Sequence, residues 1–204
     1  MKLIVITTPT FFEGEAEALN LLLEASVDRI HIRKPDSERH TFEVLIQAIR
    51  PEYLDRITLH DHHAIAVEKG LGGIHLNRRN PVAPAGFNGL VSRSCHSLEE
   101  LVQHKQTSDY LFLSPIFDSL SKVGYESQFS LDTLEKASRQ GIIDEKVIAL
   151  GGLSRQTIPT IRTIPFGGYA LLGAIWGKTP ETLSKDELLR RYKSIQDETR
   201  DNIS

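Results

Sequence analysis

Short runs of apolar and β-branched residues recur along the whole chain and alternate with longer segments that have helical periodicity. Eight of these runs are predicted to be strands, at residues 3–7, 29–33, 57–61, 73–76, 90–95, 110–117, 146–151 and 168–175. Most are apolar throughout instead of alternating with polar residues. That pattern indicates a parallel sheet covered on both faces.

The segments between these runs are long enough for helices in most places. Helices are predicted at 13–25, 37–49, 97–106, 131–140 and 154–161. Ser97 followed by Glu100 forms a capping box, which marks the start of the third of them. The stretch PETLSKDELLRRYKSIQ, residues 180–196, has an apolar stripe and predicts a last helix, and the polar residues 197–204 after it are expected to fray.

Eight strand–helix units in 204 residues predict one domain, an α/β fold of the single (β/α)8 TIM barrel type that spans residues 1–204. The fourth unit is the weakest, because residues 75–89, HLNRRNPVAPAGFNG, contain two prolines and no clear helix. An irregular excursion is expected there. The alternative is an open doubly wound sheet, but the turn after the first strand, TTPTFFEGE, lacks the GxGxxG sequence of such folds.

Composition narrows the class of partner. The hydrophobic content of 40% and the charged content of 25% are those of a globular protein, and a net charge of -3 offers no basic surface for nucleic acid. The single cysteine, Cys95, has no second cysteine for an internal disulfide, and the N-terminal apolar run is too short for a signal peptide or membrane span. We therefore expect a cytoplasmic protein without nucleic-acid or membrane partners; a barrel of this size is also compatible with a homodimer.

Polar residues gather where the predicted strands end. The second to fifth strands end in, respectively, His31 and Arg33, His60 and Asp61, His75 and Asn77, and Ser94 and His96. Barrel active sites lie at the carboxyl ends of the strands, so these side chains are expected to face one rim. The arrangement predicts an enzyme that binds a small anionic molecule.

Glycines and hydroxyls follow the last three strands. Gly151 and Gly152 end the seventh strand and Gly173 the eighth, where barrels often bind phosphate through backbone N–H groups, although tight turns also need glycine. After the sixth strand, Ser119, Ser121 and Lys122 can hold a second anionic group. A small phosphorylated substrate is the expected ligand.

A metal site is less clearly indicated. Asp61 is a candidate Mg²⁺ ligand, but no second acid is found at a predicted strand end. The run HDHH, residues 60–63, suggests zinc, yet adjacent residues on a strand or turn point in different directions. Magnesium at Asp61 is therefore favoured over zinc.

Six segments together resemble the thiamin phosphate synthase and TenI superfamily over nearly the whole chain. They are RIHIRKP, LHDHHAIAVEKGLGGIHLN, SRSCHSLEEL, DYLFLSPIFDSLSK, VIALGG and GYALLGAIW. The resemblance implies a (β/α)8 barrel that handles a thiazole phosphate in thiamin biosynthesis. In the synthases, this substrate is joined to a pyrimidine diphosphate with release of pyrophosphate and the help of Mg²⁺.

The resemblance implies roles for matching positions. Arg33 and Lys122 match residues that hold the diphosphate, Asp61 matches a magnesium ligand, and Ser94 matches a serine near the pyrimidine. For the thiazole phosphate, the matching positions are Ser119, Ser121, Gly151 and Gly152.

Other positions depart from the family pattern. His31 replaces a glutamine, His60 an asparagine and Gly173 a serine, while Pro35 stands in place of a lysine and Asn80 in place of the second magnesium aspartate. These changes weaken the case for ionising a diphosphate ester, because the charge of the leaving group needs compensation.

The segment SRSCHSLEE instead resembles the TenI branch of thiazole tautomerases, in which the position of His96 carries the proton-transfer histidine. The preferred interpretation of the sequence is therefore a TenI-like tautomerase, an isomerase that needs no cofactor, with His96 as its catalytic residue. The first alternative is a Mg²⁺-dependent thiamin phosphate synthase, a transferase. The second is a binding or regulatory relative without catalysis.

Overall fold

The chain folds into a closed barrel of parallel strands with helices on its outside. The computed structural model describes residues 1–117 and 129–200. Its strands are β1 (Lys2–Ile6), β2 (Arg29–Ile32), β3 (Ile57–Leu59), β4 (Gly73–Leu76), β5 (Leu90–Cys95), β6 (Tyr110–Leu113), β7 (Val147–Leu150) and β8 (Gly168–Leu171). Each strand pairs with the next in parallel, and β8 pairs with β1 to close the barrel, which confirms the predicted fold.

The helices of the described residues follow most of these strands. They are α1 (Glu15–Glu24), α2 (Arg39–Gln47), α3 (His63–Lys69), α4 (Leu98–His104), α5 (Leu131–Arg139), α6 (Gly173–Trp176) and α7 (Lys185–Arg200). Short 3-10 turns cover Pro51–Arg56, Ile158–Ile161 and Pro180–Thr182. The residues between β4 and β5 form no helix, as their two prolines predict.

Several predicted elements differ from the structure, among them the strand at 110–117, which ends at Leu113. The predicted helix at 154–161 is only a 3-10 turn, because Pro159 lies inside it and lacks a backbone N–H. The predicted last strand ends at Leu171, and α6 begins two residues later. The expected fraying of the last helix is wrong up to Arg200, since α7 continues to that residue; residues 201–204 lie outside the described part.

Local contacts explain two of the helix positions. The Ser97 hydroxyl accepts a hydrogen bond from the N–H of Glu100, as the capping box predicts, while the Glu100 carboxylate accepts one from the N–H of His96. The buried Trp176 indole N–H donates to the carbonyl of Ile6 over 2.8 Å and so holds α6 against the end of β1. Both contacts fix loops at the carboxyl end of the barrel.

Most of the hydrophobic core lies between the sheet and its helices, and a second apolar cluster lies inside the barrel. Cys95 is buried and free, and burial raises the pKa of its thiol to about 12. Among the described residues, no helix combines the length and the apolar character that crossing a membrane requires.

Candidate active site

The interior of the barrel is divided into a polar and an apolar half. The apolar half, from β6–β8 and β1, contains Ile4, Ile6, Phe112, Ile148 and Ala170. Strands β2–β5 contribute hydrogen-bonding side chains instead, namely His31, Thr58, His60, His75, Ser92 and Ser94. A polar ligand at the mouth therefore meets hydrogen-bonding groups on the β2–β5 side.

Three histidines of the polar half form a buried cluster. Nδ1 of His31 lies 2.9 Å from Nε2 of His60, and Nε2 of His31 lies 2.7 Å from the hydroxyl of Tyr110. The ring of His75 stacks on that of His60 with centroids 4.0 Å apart. Because the side chains of His31 and His75 are fully buried, the expectation that they face the rim is wrong for these two.

Burial keeps these imidazoles uncharged. Desolvation lowers the pKa of His75 to about 3 and holds the pKa values of His31 and His60 well below their ordinary range, and the nearby histidines and arginines act in the same direction. At neutral pH, the cluster is therefore a set of neutral donors and acceptors.

The hydrogen bonds of His75 fix the direction in which Ser94 donates. The Ser92 hydroxyl donates to the carbonyl of Ile74 over 3.2 Å, which leaves its oxygen to accept from Nδ1–H of His75 at 2.8 Å. Nε2 of His75 is then an acceptor and receives the hydroxyl proton of Ser94 over 2.7 Å. Ser94 consequently presents only acceptor lone pairs to the mouth, which suits an amino group on a ligand.

Asp61 follows β3 and has one oxygen without a partner. Its Oδ1 lies 2.9 Å from Nη2 of Arg79 and 3.3 Å from Nδ2 of Asn80. Its Oδ2 is buried and has no hydrogen-bond partner among the described residues. A buried carboxylate oxygen without a hydrogen bond lowers the stability of the fold unless a ligand binds to it. The residues present therefore fit a Mg²⁺ ion bound by one carboxylate and by a ligand's phosphate oxygens.

Arg33 stands beside a buried ion pair at the end of β2. Its N–H donates to the hydroxyl of Thr7 over 3.0 Å. The next residue, Lys34, is fully buried and places its ammonium 2.5 Å from Glu15 and 2.8 Å from the carbonyl of Thr10. These contacts tie the loop after β1 to the end of β2 and so hold the backbone that carries Arg33.

His96 lies at the start of the loop after β5, with its side chain exposed. Nδ1 lies 3.0 Å from the carbonyl of Ser114. A carbonyl only accepts hydrogen bonds, so Nδ1 carries the proton and Nε2 keeps a free lone pair. This arrangement is suitable for a general base.

The predicted phosphate-binding glycines lie at the ends of neighbouring strands β7 and β8. Gly151 and Gly152 adopt left-handed conformations, with φ of 103° and 60°, and Gly173 is the first residue of α6. No acceptor among the described residues is paired with the N–H of Gly152 or Gly173. The other predicted phosphate and diphosphate residues, Ser119, Ser121 and Lys122, lie outside the described residues.

Replacing Gly151 by alanine is expected to destabilise the barrel by about 2–4 kcal/mol. A Cβ at this position would lie 2.8 Å from the Cα of Pro115, and the φ of 103° is unfavourable for alanine. Gly173→Ala is the matched control, because nothing lies within 4 Å of the added Cβ and its φ is not positive. Urea unfolding measures both variants; equal stabilities would contradict the tight turn.

Sequence analysis missed several residues that support the site. Tyr110 and Ser92 lie two residues before Phe112 and Ser94, and residues two apart on a strand point to the same face. The inward direction of Tyr110 and Ser92 could therefore have been predicted from the sequence. The pairing of Lys34 with Glu15 and of Arg79 with Asp61 had no signal in the sequence. The first pair joins the end of β2 to the start of α1 and the second joins two loops, and only the closed barrel defines the relative positions of these segments.

Comparison with known proteins identifies the family. The protein-family model for thiamine monophosphate synthase matches residues 3–175 of this chain. A crystal structure of thiamine phosphate pyrophosphorylase from Bacteroides thetaiotaomicron is 38% identical, covers 97% of each chain and superposes with a TM-score of 0.88.

Two more distant relatives carry similar names. A thiamine-phosphate synthase of Archaeoglobus fulgidus is 24% identical over 95% of this chain and 96% of its own. A thiamine phosphate pyrophosphorylase from Pyrococcus furiosus, at 23% identity over 95% and 96% of the two chains and a TM-score of 0.70, shares the fold. The preferred tautomerase interpretation is not confirmed by these comparisons, which agree better with the synthase alternative. With the family match across most of the chain and a barrel of the same shape, the protein belongs to the thiamine monophosphate synthase family of thiamin-biosynthesis enzymes.

Proposed function

We propose that this protein is a thiamin phosphate synthase. In this reaction, the bond between the pyrimidine methylene carbon and the diphosphate breaks, and the thiazole nitrogen attacks that carbon to form a new C–N bond. Pyrophosphate leaves with the bonding electron pair. The main structural support is the buried Oδ2 of Asp61, which lacks a partner among the described residues and lies where the family has a magnesium ligand.

The charged groups around Asp61 suit a diphosphate. Asp61 would hold a Mg²⁺ ion together with the diphosphate oxygens, while the side-chain N–H of Asn80 donates to Oδ1 of Asp61. When bound, Mg²⁺ would neutralise the charge that develops on the leaving pyrophosphate. Arg33, half-buried at the end of the neighbouring strand β2, would bind a diphosphate oxygen, and Lys122 is assigned the same role from its sequence position alone.

The polar half of the lumen suits the pyrimidine. Ser94 offers acceptor lone pairs because its proton is donated to His75, so it would bind and orient the amino group of the ring. His60 is 5% exposed, the most accessible of the three clustered histidines, and would line the pyrimidine side of the mouth. His31 lies below it and supports it through a 2.9 Å hydrogen bond.

The other side of the mouth suits the thiazole phosphate. Backbone N–H groups of Gly152 and Gly173 would bind the phosphate where β7 and β8 end side by side. Gly151 permits the close approach of this turn to Pro115, and Ser119 and Ser121 are assigned to the same phosphate from sequence. The two substrates would then meet above the centre of the barrel.

The direct test is product formation by the purified protein. Supplied with thiazole phosphate and pyrimidine diphosphate, it should form thiamin phosphate and pyrophosphate in equal amounts, and removal of Mg²⁺ by chelation should stop the reaction. Folded protein that forms no thiamin phosphate at any Mg²⁺ concentration would contradict the proposal. If such protein still bound thiazole phosphate, the non-catalytic alternative would apply.

The geometry of His96 favours the tautomerase as the second candidate. The carbonyl of Ser114 fixes the proton on Nδ1 and leaves Nε2 free to take a proton from a ligand. Isomerisation of a thiazole phosphate without Mg²⁺, abolished by His96→Asn, would support this function. If the wild-type protein catalyses no isomerisation in this assay, the tautomerase function is contradicted.

Arg79 binds the other oxygen of Asp61, and its positive charge opposes a Mg²⁺ ion at Oδ2, so its replacement tests the metal site. Arg79→Gln should lower the Mg²⁺ concentration for half-maximal rate by about two- to five-fold, since a partly exposed ion pair is weak. Arg78→Gln, a change at the exposed neighbouring arginine, is the control. An unchanged or higher Mg²⁺ requirement in Arg79→Gln would place the ion elsewhere.

A further inference from the structure

The three lumen histidines come from three neighbouring strands and bring their nitrogens together. His31 is on β2, His60 follows β3 and His75 is on β4. One ring nitrogen from each lies within 4.8 Å of the other two, and no other group of three or more histidine, cysteine or acidic side chains among the described residues meets this geometry. We propose that His31, His60 and His75 form a binding site for one divalent transition-metal ion of the zinc type.

Two of the ligand atoms already face each other. Nδ1 of His31 and Nε2 of His60 lie 2.9 Å apart, with one proton between them. Tetrahedral zinc with Zn–N bonds of ordinary length separates two nitrogens by about 3.3 Å. An ion can therefore replace this proton after a shift of a few tenths of an ångström.

His75 provides the third ligand after a small rearrangement. Its ring is stacked on that of His60 at 4.0 Å, and its Nε2 accepts the proton of Ser94. A rotation of the His75 side chain that releases Ser94 turns Nε2 toward the other two nitrogens. His60 is the most exposed of the three, so the fourth coordination position opens toward the mouth, as in zinc sites that keep one open position.

The groups behind the histidines match the outer shell of a metal site. Metal-bound histidines commonly donate their other N–H to a nearby oxygen, which fixes the ring. Nε2 of His31 has the hydroxyl of Tyr110 at 2.7 Å, and Nδ1–H of His75 donates to Ser92 at 2.8 Å. The contact with Tyr110 thus turns Nδ1 of His31 toward His60, and Ser92 supplies an oxygen for the other nitrogen of His75.

The type of ligand distinguishes this site from the proposed Mg²⁺ site at Asp61. Three neutral imidazoles are suitable for zinc, cobalt or nickel, whereas Mg²⁺ prefers oxygen ligands such as Asp61. The site is also different from the HDHH run that the sequence suggested, because Nε2–H of His62 donates to the carbonyl of Ser37 over 2.7 Å. Only His60 belongs to both groups.

Cobalt titration of chelator-treated, full-length protein tests the proposal. We expect one Co²⁺ per chain with the visible bands of tetrahedral coordination, displaced by Zn²⁺ and unaffected by excess Mg²⁺. X-ray absorption of the zinc-loaded wild-type protein should show three imidazole nitrogens, and this measurement needs no variant. Octahedral or non-stoichiometric Co²⁺, or fewer than three imidazoles, would overturn the site.

Variants identify the ligands. His31→Gln and His60→Asn restore the amide side chains of the family pattern and should each abolish the tetrahedral bands. Tyr110→Phe keeps all three ligands and should weaken Co²⁺ binding by about 10–100-fold. His62→Asn is the control and should bind like wild type; loss of the bands in it, or their retention in His60→Asn, would contradict the assignment. Because metal binding is measured directly, this result is independent of whether thiamin phosphate is formed.

Discussion

Replacing Glu15 by leucine should lower the free energy of unfolding by about 3–5 kcal/mol, because the ammonium of Lys34 would remain buried without its carboxylate. Lys34 is fully buried, Glu15 is 2% exposed and their charged atoms lie 2.5 Å apart. Burial lowers the pKa of Lys34 and raises that of Glu15, despite their mutual attraction, so each depends on the other to stay charged. Urea unfolding at neutral pH measures the loss.

The double variant separates pairing from packing. Glu15→Leu with Lys34→Met removes both charges, and its stability should return to within about 1–2 kcal/mol of wild type. The matched control is Glu17→Leu, two residues further along α1, whose partner Lys185 is as exposed as Glu17 itself, and it should leave the unfolding curve unchanged. A single variant as stable as the control would contradict the buried pair.

Acid should unfold the metal-free protein because the lumen histidines are uncharged in the folded state. Burial lowers the pKa of His75 to about 3, so below its ordinary value of 6.5 the unfolded chain takes up a proton that the folded protein does not. Stability therefore falls as the pH drops from 6.5 toward 3. His75 alone should cost about 2 kcal/mol at pH 5 and about 3 kcal/mol at pH 4. His31 and His60, with pKa values lowered in the same direction, add to this loss.

The pH slope of stability measures this effect more clearly than stability at one pH. In chelator-treated protein, urea unfolding between pH 7 and pH 4.5 should give a slope larger than one proton. His75→Asn should reduce the slope by about one proton, whatever it does to stability at pH 7. His40→Asn, at an exposed position, is the control. Equal slopes in wild type and His75→Asn would show that His75 titrates normally in the folded state.

The barrel could be predicted from the sequence because each strand is a short run of apolar and β-branched residues. The predicted start of β4 at Gly73 and of β5 at Leu90 agrees with the structure to the residue. Predicted strand ends extend too far, as at 110–117, where β6 stops at Leu113, because apolar residues also fill the first turn of a loop. A helix was predicted where the structure has a 3-10 turn, Ile158–Ile161. Its apolar residues have helical spacing, but Pro159 lacks the N–H that a longer helix would need.

The candidate site was only partly predictable. Asp61 follows β3 and Ser94 is the next-to-last residue of β5, so both lie near the carboxyl ends of strands, as the sequence indicated. The burial of His31 and His75 could not be predicted. Inward-facing residues of a strand can lie in the lumen or at the rim, and the depth of each residue depends on how the strands are staggered around the barrel. The ion pair of Arg79 with Asp61 depends on the course of an irregular loop, which periodicity does not describe.

The central claim, that Asp61 and not His96 carries the chemistry, is tested most directly by the kcat/KM for thiamin phosphate formation in two variants. Asp61→Asn removes the carboxylate charge from the metal site and should lower kcat/KM by at least about 100-fold, since charge stabilisation of this kind supplies several kcal/mol. His96→Asn should stay within about three-fold of wild type, because its exposed ring takes no proton in this reaction. A large loss in His96→Asn with near-normal kcat/KM in Asp61→Asn would contradict the account.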